Sequence, residues 1–529
     1  MFRPFSLLKA TGILTLFLTA IVPAKAQISF PSLNRDSLNT TAPSFRLTSI
    51  QTIATTNEQA FWLTRNDLGL LDDDNLNSLL LLDGFWRNTR SNNINELRIE
   101  SGVSLAFNQL RTNQVVLPIG YVSVAYKGLK IEGGRFNMQW NQPFDTRISS
   151  GDLLYGISST PIPMIRLGTE VPFAPIPVLS AFKISGFLLH GWFESSRVAS
   201  NAFLHAKNFR AQLDLGDFTP FFGLTHNAQW GGNSSVNGPL PSGFSDFLDV
   251  FTGSSSNNVN APEGERINVA GNHIGTWNMG FDVRSESMTT SVRFNHLFED
   301  GSGQWMKNGS DGQIQIIVTK NKTFGDKFRS FVDQIVYEYI NTTVASGWGT
   351  SDAPDSETKF DEFGFRFGGR DNYYNNGIYA NGWTYLNQPI HNPLFMTVGE
   401  AQRWAPNSEQ IVSTLGFASG SILAHHIGFR GAFSLFGEDF RYRHKTSVVR
   451  YYGNSGTLPR FFAPYRANEN VRSEDYAFFP EVEQYYARLD IEKSWLDRNI
   501  PLKTVLSLAI DRGEWHRTFG VGLQIEWLF

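Results

Sequence analysis

The sequence predicts an all-β protein, a transmembrane antiparallel β-barrel of about 18 strands, with roughly 16 to 20 admissible because single-chain bacterial barrels use even numbers. Three observations carry this. Apolar and polar residues alternate with period two along most of the chain, in segments long enough to cross hydrocarbon at a tilt. Connections alternate between tight turns (Gly216-Asp217, Ser285-Glu286-Ser287) and long polar stretches (Gly231 to Arg266, Ala345 to Phe360), the asymmetry of periplasmic turns and extracellular loops. The last segment alternates strictly and stops on an aromatic residue.

The composition agrees. With 14% aromatic residues the chain has ample surface to bury, so disorder is excluded, while a mean hydropathy of −0.23 says that it is not uniformly greasy. No Cys is present, which removes disulfide scaffolds, thiolate metal sites, Cys nucleophiles and a lipidated cysteine.

In chain order, residues 1–26 read as a secretory signal peptide. Arg3 and Lys9 precede an apolar stretch from Thr11 to Val22, and Ala24-Lys25-Ala26 offers a small-x-small cleavage site after Ala26. Its removal takes three basic residues and moves the formal charge from −4 to −7, which argues against nucleic acid as a partner. Beyond Val22 there is no run of 18 apolar residues, so a helical membrane protein is excluded.

Residues 27–90 predict a periplasmic or plugging segment that is partly helical, because Leu47, Ile50, Ile53 and Ala54 fall at helical spacing. Asp72-Asp73-Asp74 reads as a solvated turn, with a cation site as the alternative. Residues 91–529 predict the barrel. Leu97 to Phe107, Val122 to Tyr126, Trp277 to Val283, Thr290 to Phe294 and Ile335 to Tyr339 all alternate. Aromatic pairs at Trp192-Phe193, Tyr451-Tyr452, Phe461-Phe462 and Tyr485-Tyr486 predict interfacial girdles, so that much of the aromatic content faces lipid rather than a core. Phe519, Val521, Leu523, Ile525, Trp527 and Phe529 form one face of the final segment, and resemble the closing-strand signal that the barrel-assembly machinery reads. A lumen of this size is too wide for wall side chains to fill, so it holds a channel or a plug.

The chemistry points away from catalysis. There is no G-x-S-x-G elbow, H-E-x-x-H helix, phosphate loop or dinucleotide fingerprint, and nothing calls for a cofactor or a metal. His425 and His426 would point to opposite faces of a strand, and Glu481 and Glu483 would share a lumenal face. Aromatics beside Asn, Asp, Gln and Gly are concentrated around Trp230 to Ser234, Trp305 to Gly309 and Gly369 to Phe395. Such neighbours suit a sugar site, with rings on the apolar face of a pyranose and amides on its hydroxyls; an interfacial girdle with turn residues gives the same composition.

The stretch GRDNYYNNGIYANGWTYLNQPIHNPLF (369–395), the segment from Asn272 through Trp277 to Leu297-Phe298-Glu299-Asp300-Gly301-Ser302-Gly303, Gly133-Gly134-Arg135-Phe136 and Trp230-Gly231-Gly232 together resemble the capsule assembly Wzi family as it occurs in Bacteroidetes. The resemblance implies an 18-stranded outer-membrane barrel with helical elements at its periplasmic side, a lectin-like protein that attaches capsular polysaccharide to the cell surface. Its partners would be outer-membrane lipid, surface polysaccharide and, during biogenesis, the barrel-assembly machinery. Arg370, Asp371, Asn372, Tyr373, Tyr374 and Trp383 are the nominated polysaccharide-binding residues, with Trp230 and Asn233 behind them. The competing expectations are a porin-like channel for small solutes and a barrel-embedded hydrolase.

Overall fold

The computed structural model describes residues 43–89, 91, 93–108, 115–139, 145–306, 308–321, 331–345, 371–411, 415–454, 477–478, 481–496 and 500–529. The signal-peptide stretch, Phe461-Phe462 and the 346–360 part of one long connection lie outside them.

One closed sheet of 18 strands forms the molecule's wall. Its strands are β1 (Ser44–Glu58), β2 (Asp74–Arg87), β3 (Arg98–Asn108), β4 (Val115–Tyr126), β5 (Leu129–Arg135) and β6 (Met164–Thr169). They continue with β7 (Phe182–Trp192), β8 (Phe203–Leu213), β9 (Phe218–Trp230), β10 (Asn272–Arg284), β11 (Met288–Phe298) and β12 (Gly312–Lys320). The last six are β13 (Gln334–Asn341), β14 (Ile422–Leu435), β15 (Glu438–Tyr451), β16 (Val482–Ser494), β17 (Leu502–Gly513) and β18 (Thr518–Leu528). Each pairs antiparallel with the next. β18 returns to β1 with Trp527 opposite Leu47 and Val521 opposite Ile53, so the ring has no open edge.

The connections divide by end. At the end that carries Ser44 and Phe529, here the near end, β4–β5 and β14–β15 are two-residue hairpins. Lys127-Gly128 and Phe436-Gly437 both take positive φ (50° and 78°; 52° and 78°), the mirror-image turn that matches strand twist. The long connections 59–73, 136–163, 231–271 and 342–421 all lie at the opposite, far end.

Alternation sorts the wall as the sequence predicts. Leu188, Phe209, Phe222, Ile316, Ile427, Leu506 and Leu523 are exposed on the outer face, while Arg166, Glu338, His426, Asp490 and Glu526 turn into the lumen. A bare apolar exterior with charged residues inside is stable only where the exterior meets lipid.

Two expectations are corrected here. Ser44–Glu58 and Asp74–Arg87 are barrel strands rather than a helical segment; within 27–90 the described helix is the single turn α1 (Phe61–Thr64). The helical spacing was produced by strand residues on both faces: Ile50 turns inward onto Leu71, Leu79 and Ala106, whereas Ile53 is exposed outside. The aromatic pairs, too, are divided between faces. Trp192 and Tyr485 are exposed outside, but Phe193, Tyr451 and Tyr486 are buried inside, as neighbours on a strand must be.

The barrel therefore has a core. Loops from the far end fold into the lumen, and Phe61, Trp62, Leu154, Tyr155, Tyr374 and Phe395 pack against inward residues of strands around the ring, among them Leu189, Leu204, Leu297, Ile340 and Tyr486. Close approach needs small residues. A Cβ on Gly428 of β14 would sit 1.7 Å from the Ile148 carbonyl oxygen, and one on Gly156 would sit 2.2 Å from that of His391.

Candidate functional site

Three segments build the plug, held by buried polar contacts to the wall and to one another. In 59–73, the Phe61 amide donates to Asp511 Oδ2 of β17 (2.7 Å) and Arg488 of β16 donates to the Trp62 carbonyl (2.7 Å). The Lys445 ammonium lies 3.7 Å from the centre of the Trp62 ring, a cation–π contact in a dry site. In 136–163, Glu338 of β13 accepts from the Ser149 hydroxyl (2.6 Å) and the Ser150 amide (2.7 Å), and Gln313 donates to the Gly151 carbonyl (2.9 Å). The Tyr155 hydroxyl donates to Asn227 of β9 (2.6 Å). In 371–411, Glu400 of helix α5 (Val398–Trp404) joins Arg65; among the described residues α5 follows α2 (Phe244–Thr252), α3 (Glu263–Ile267) and α4 (Gly301–Gln304).

Arg65 also pairs with Asp73 (2.8 Å). Burial works against the charged Asp73 carboxylate, but the Arg65 charge and hydrogen bonds, with Arg403 beyond, hold its pKa down to about 2. Asp73 is thus engaged in ion pairs and not in a cation site.

The nominated motif lies at the centre of this plug. The Tyr373 hydroxyl donates to Asp311 (2.9 Å) and accepts from Asn308 (2.8 Å). Tyr374 stacks on His391 and donates to the Leu153 carbonyl (3.1 Å); its amide donates to Glu299 (3.0 Å). Its φ of 70° is a left-handed conformation that a bulky residue holds only when its surroundings fix it. The Trp383 amide donates to the Tyr374 carbonyl (3.1 Å). Tyr373, Tyr374 and Trp383 are at most 1% exposed, so none of their rings has a free face for a pyranose.

The motif's acidic neighbour belongs to a segment quoted for the resemblance but not nominated for the site. Glu299, half-buried, has its carboxyl pushed well up, first by burial and then by the charge of Asp371. Asp371 is buried and Asn372 half-buried. Arg370 lies outside the described residues.

Trp230 is on the other side of the wall from the plug. It pairs with Phe203 on the outer face and packs against Phe247, whereas its neighbour Gln229 points inward and donates to the Gly382 carbonyl (2.8 Å). Glu483 also faces outward, in an exposed ion pair with Arg450 (2.7 Å), so the proposed lumenal Glu481–Glu483 pair does not form. His425 and His426 do point apart: the first accepts from or donates to Tyr337 outside, the second meets the Ile148 carbonyl inside.

What the far end presents to solvent is a patch of short polar side chains above this core. Thr384–Tyr385 and Gln388–Pro389 form a hairpin whose tip residues, Leu386 and Asn387, both have positive φ (51° and 63°) and are exposed. The Leu386 amide donates to Glu194 (3.1 Å), and Asn381 accepts from the Val198 amide (2.8 Å). Exposed Asn233 pairs with Ser200 in a small rim sheet beside them. Beneath, the buried Arg197 guanidinium donates to the Gly382 and Thr384 carbonyls and locks the 193–202 loop to the plug. Leu386 and Asn387 were legible only as part of the quoted motif; the turn that raises them is fixed by the Arg197 and Glu194 contacts.

No family model and no curated protein matches the sequence. Among solved structures, the Escherichia coli outer membrane protein Wzi, described as involved in group 1 capsule assembly and as a carbohydrate-binding β-barrel, aligns over 92% of this chain and 84% of its own with a TM-score of 0.52 and 12% identity. Pseudomonas aeruginosa OccK5 (OpdH) aligns over 92% and 97% (TM-score 0.43, 8% identity), and a variant of OccD1 (OprD) over 92% and 95% (TM-score 0.41, 8% identity). The architecture shared with Wzi is that of an outer-membrane β-barrel.

Proposed function

We propose that this outer-membrane barrel binds surface polysaccharide and helps to assemble or attach the capsule, as a lectin-like member of the Wzi family and not as an enzyme. The observation that carries the reading is the far-end patch. Amides and hydroxyls of Asn233, Asn381, Asn387 and Ser200 crowd a surface backed by a packed plug, and such groups both donate to and accept from sugar hydroxyls. The carbohydrate-binding description of the E. coli neighbour supports it. Long loops mark the far end as extracellular, which turns the patch toward the polymer. Among the nominated residues, exposed Asn233 serves as a contact, buried Asp371 and half-buried Asn372 belong to the support beneath, and Tyr373, Tyr374 and Trp383 hold the hairpin in place.

The test is binding of capsular polysaccharide from the producing strain to purified protein. Asn387→Ala with Asn233→Ala should weaken it at least several-fold, and deletion of the gene should release capsule from cells that still make polymer. Unchanged binding and unchanged capsule would overturn the proposal. Large steady currents in planar bilayers would instead favour a small-solute channel.

A further inference from the structure

The connection 231–271 divides: Leu240 packs into the core and Tyr379 of the plug donates to the Gly231 carbonyl, whereas helix α2 lies over the outside of the wall. There the outer face is unusual. His205, His226 and His273 are buried and His190 is half-buried, all four on the outward side of β7 to β10, together with Lys207. His190 and His205 are cross-strand neighbours, and the His226 and His273 rings meet at 2.8 Å. Polar side chains on a lipid-facing wall need cover.

Helix α2 supplies it. Phe247 and Phe251 each place a ring 5.2 Å from that of His205, Phe247 packs on Trp230, and the Lys207 ammonium donates to the Phe251 carbonyl. Val250 is buried against Ala228 and Ala270. The helix is properly ended: Asp246 accepts from the Gly243 amide (2.8 Å), and Gly253 takes φ 70° at the C-cap.

This leaves a second apolar stripe unpartnered. Phe244 and Leu248, one turn apart, are 77% and 46% exposed. The wall that α2 covers borders directly on exposed apolar wall: Lys207, which holds the Phe251 carbonyl, is opposite Leu188, and Leu188 and Phe209, the next outward residue on β8, are each about half exposed. Further round the rim, exposed Trp305 follows the single turn α4, whose Gln304 carbonyl accepts from the outward-facing Trp277 (3.2 Å). An amphipathic ring at this height is the usual marker of the membrane boundary.

We propose that α2 is a lipid-seated anchor, with Phe244 and Leu248 inserted among the outer-leaflet acyl chains at their boundary with the headgroups, while its other stripe shields the histidine-bearing wall. The occupant follows from adjacency, since α2 seats on Lys207 and His205 one step along the strands from the wall's own exposed Leu188 and Phe209. Nothing in this rests on the polysaccharide reading.

The absence of cysteine makes the test direct. Single variants Phe244→Cys and Leu248→Cys would carry a nitroxide label in phosphatidylcholine vesicles. Leu188→Cys would serve as the lipid reference and Asn257→Cys as the water reference. Labels at 244 and 248 should collide with oxygen in preference to a water-soluble nickel chelate, shifting the collision ratio several-fold from Asn257 toward Leu188. A ratio like that of Asn257 would overturn the proposal. So would exclusion of both reagents with spin–spin broadening, which would mean that a second copy covers the stripe. Each variant's heat-modifiable migration reports that the barrel itself has folded.

Discussion

The Tyr374 ring lies 3.7 Å from the His391 ring, centroid to centroid and 20° from parallel, and both side chains are buried. Burial holds the His391 imidazole down to about 3, so the stack is between two neutral rings throughout the physiological range.

Tyr374→Ala removes the ring and should cost about 3–5 kcal/mol, as aromatic truncations in packed interiors do. Tyr374→Phe keeps the stack and loses one hydrogen bond, about 1 kcal/mol. Thermal unfolding in detergent, followed by heat-modifiable gel migration, should rank the variants wild type, Phe, Ala. Equal loss in both would mean that the hydroxyl bond to Leu153, and not the ring, holds the hairpin.

Glu299 gives a pH signature. Its folded-state pKa is raised, so the folded protein binds a proton more tightly there than the unfolded chain does. The group favours folding below its ordinary value of about 4.5 and loses that contribution as pH rises through the folded value. Glu299→Gln retains an acceptor for the Tyr374 amide. It should therefore raise the unfolding temperature at pH 8 and change it little at pH 4; the opposite order would refute the assignment.

Arg65 and Glu400 are 335 residues apart in sequence and fully buried together at 2.5 Å. Breaking such a pair from one side strands a buried charge and costs about 3–5 kcal/mol, whereas removing both charges costs much less. Arg65→Met should loosen 59–73 and α5, raising protease cleavage in intact vesicles, and Arg65→Met with Glu400→Gln should recover most of the protection. No recovery in the double variant would argue that Asp73 is the partner that matters.

Leu506 and Ser507 are neighbours on β17 that face lipid and lumen respectively. Leu506→Arg should destabilise the folded barrel by about 2–4 kcal/mol if the residue lies near the bilayer midplane. Equilibrium urea unfolding in lipid vesicles measures this directly, and an unchanged midpoint would place Leu506 outside the hydrocarbon.

Where one wall face meets lipid and the other meets polar lumen, the sequence was legible, as at Trp277 to Val283 and in the C-terminal strand. It was not legible where the plug changes what a strand's inner face needs. Leu79 packs inside and Leu82 is exposed outside, so β2 reads as a continuous apolar run instead of an alternating one. The aromatic-and-amide motif at 369–395 was visible, but not that its rings would be enclosed. That outcome depends on Asp311, Glu299, Arg197 and Leu153, residues scattered over the chain whose convergence no local pattern encodes.

The seam between β1 and β18 has a bearing on how the molecule comes to be made. The Phe61 amide on Asp511, the Thr56 hydroxyl on Thr518 (2.8 Å) and the Trp404 ring stacked on His516 (4.7 Å) all bridge that seam from within or at its mouth. None of them can form until the last residues have been synthesised, and Trp404 arrives on a loop from the middle of the chain. Closing the ring and filling the lumen therefore draw on shared contacts, so that each stabilises the other.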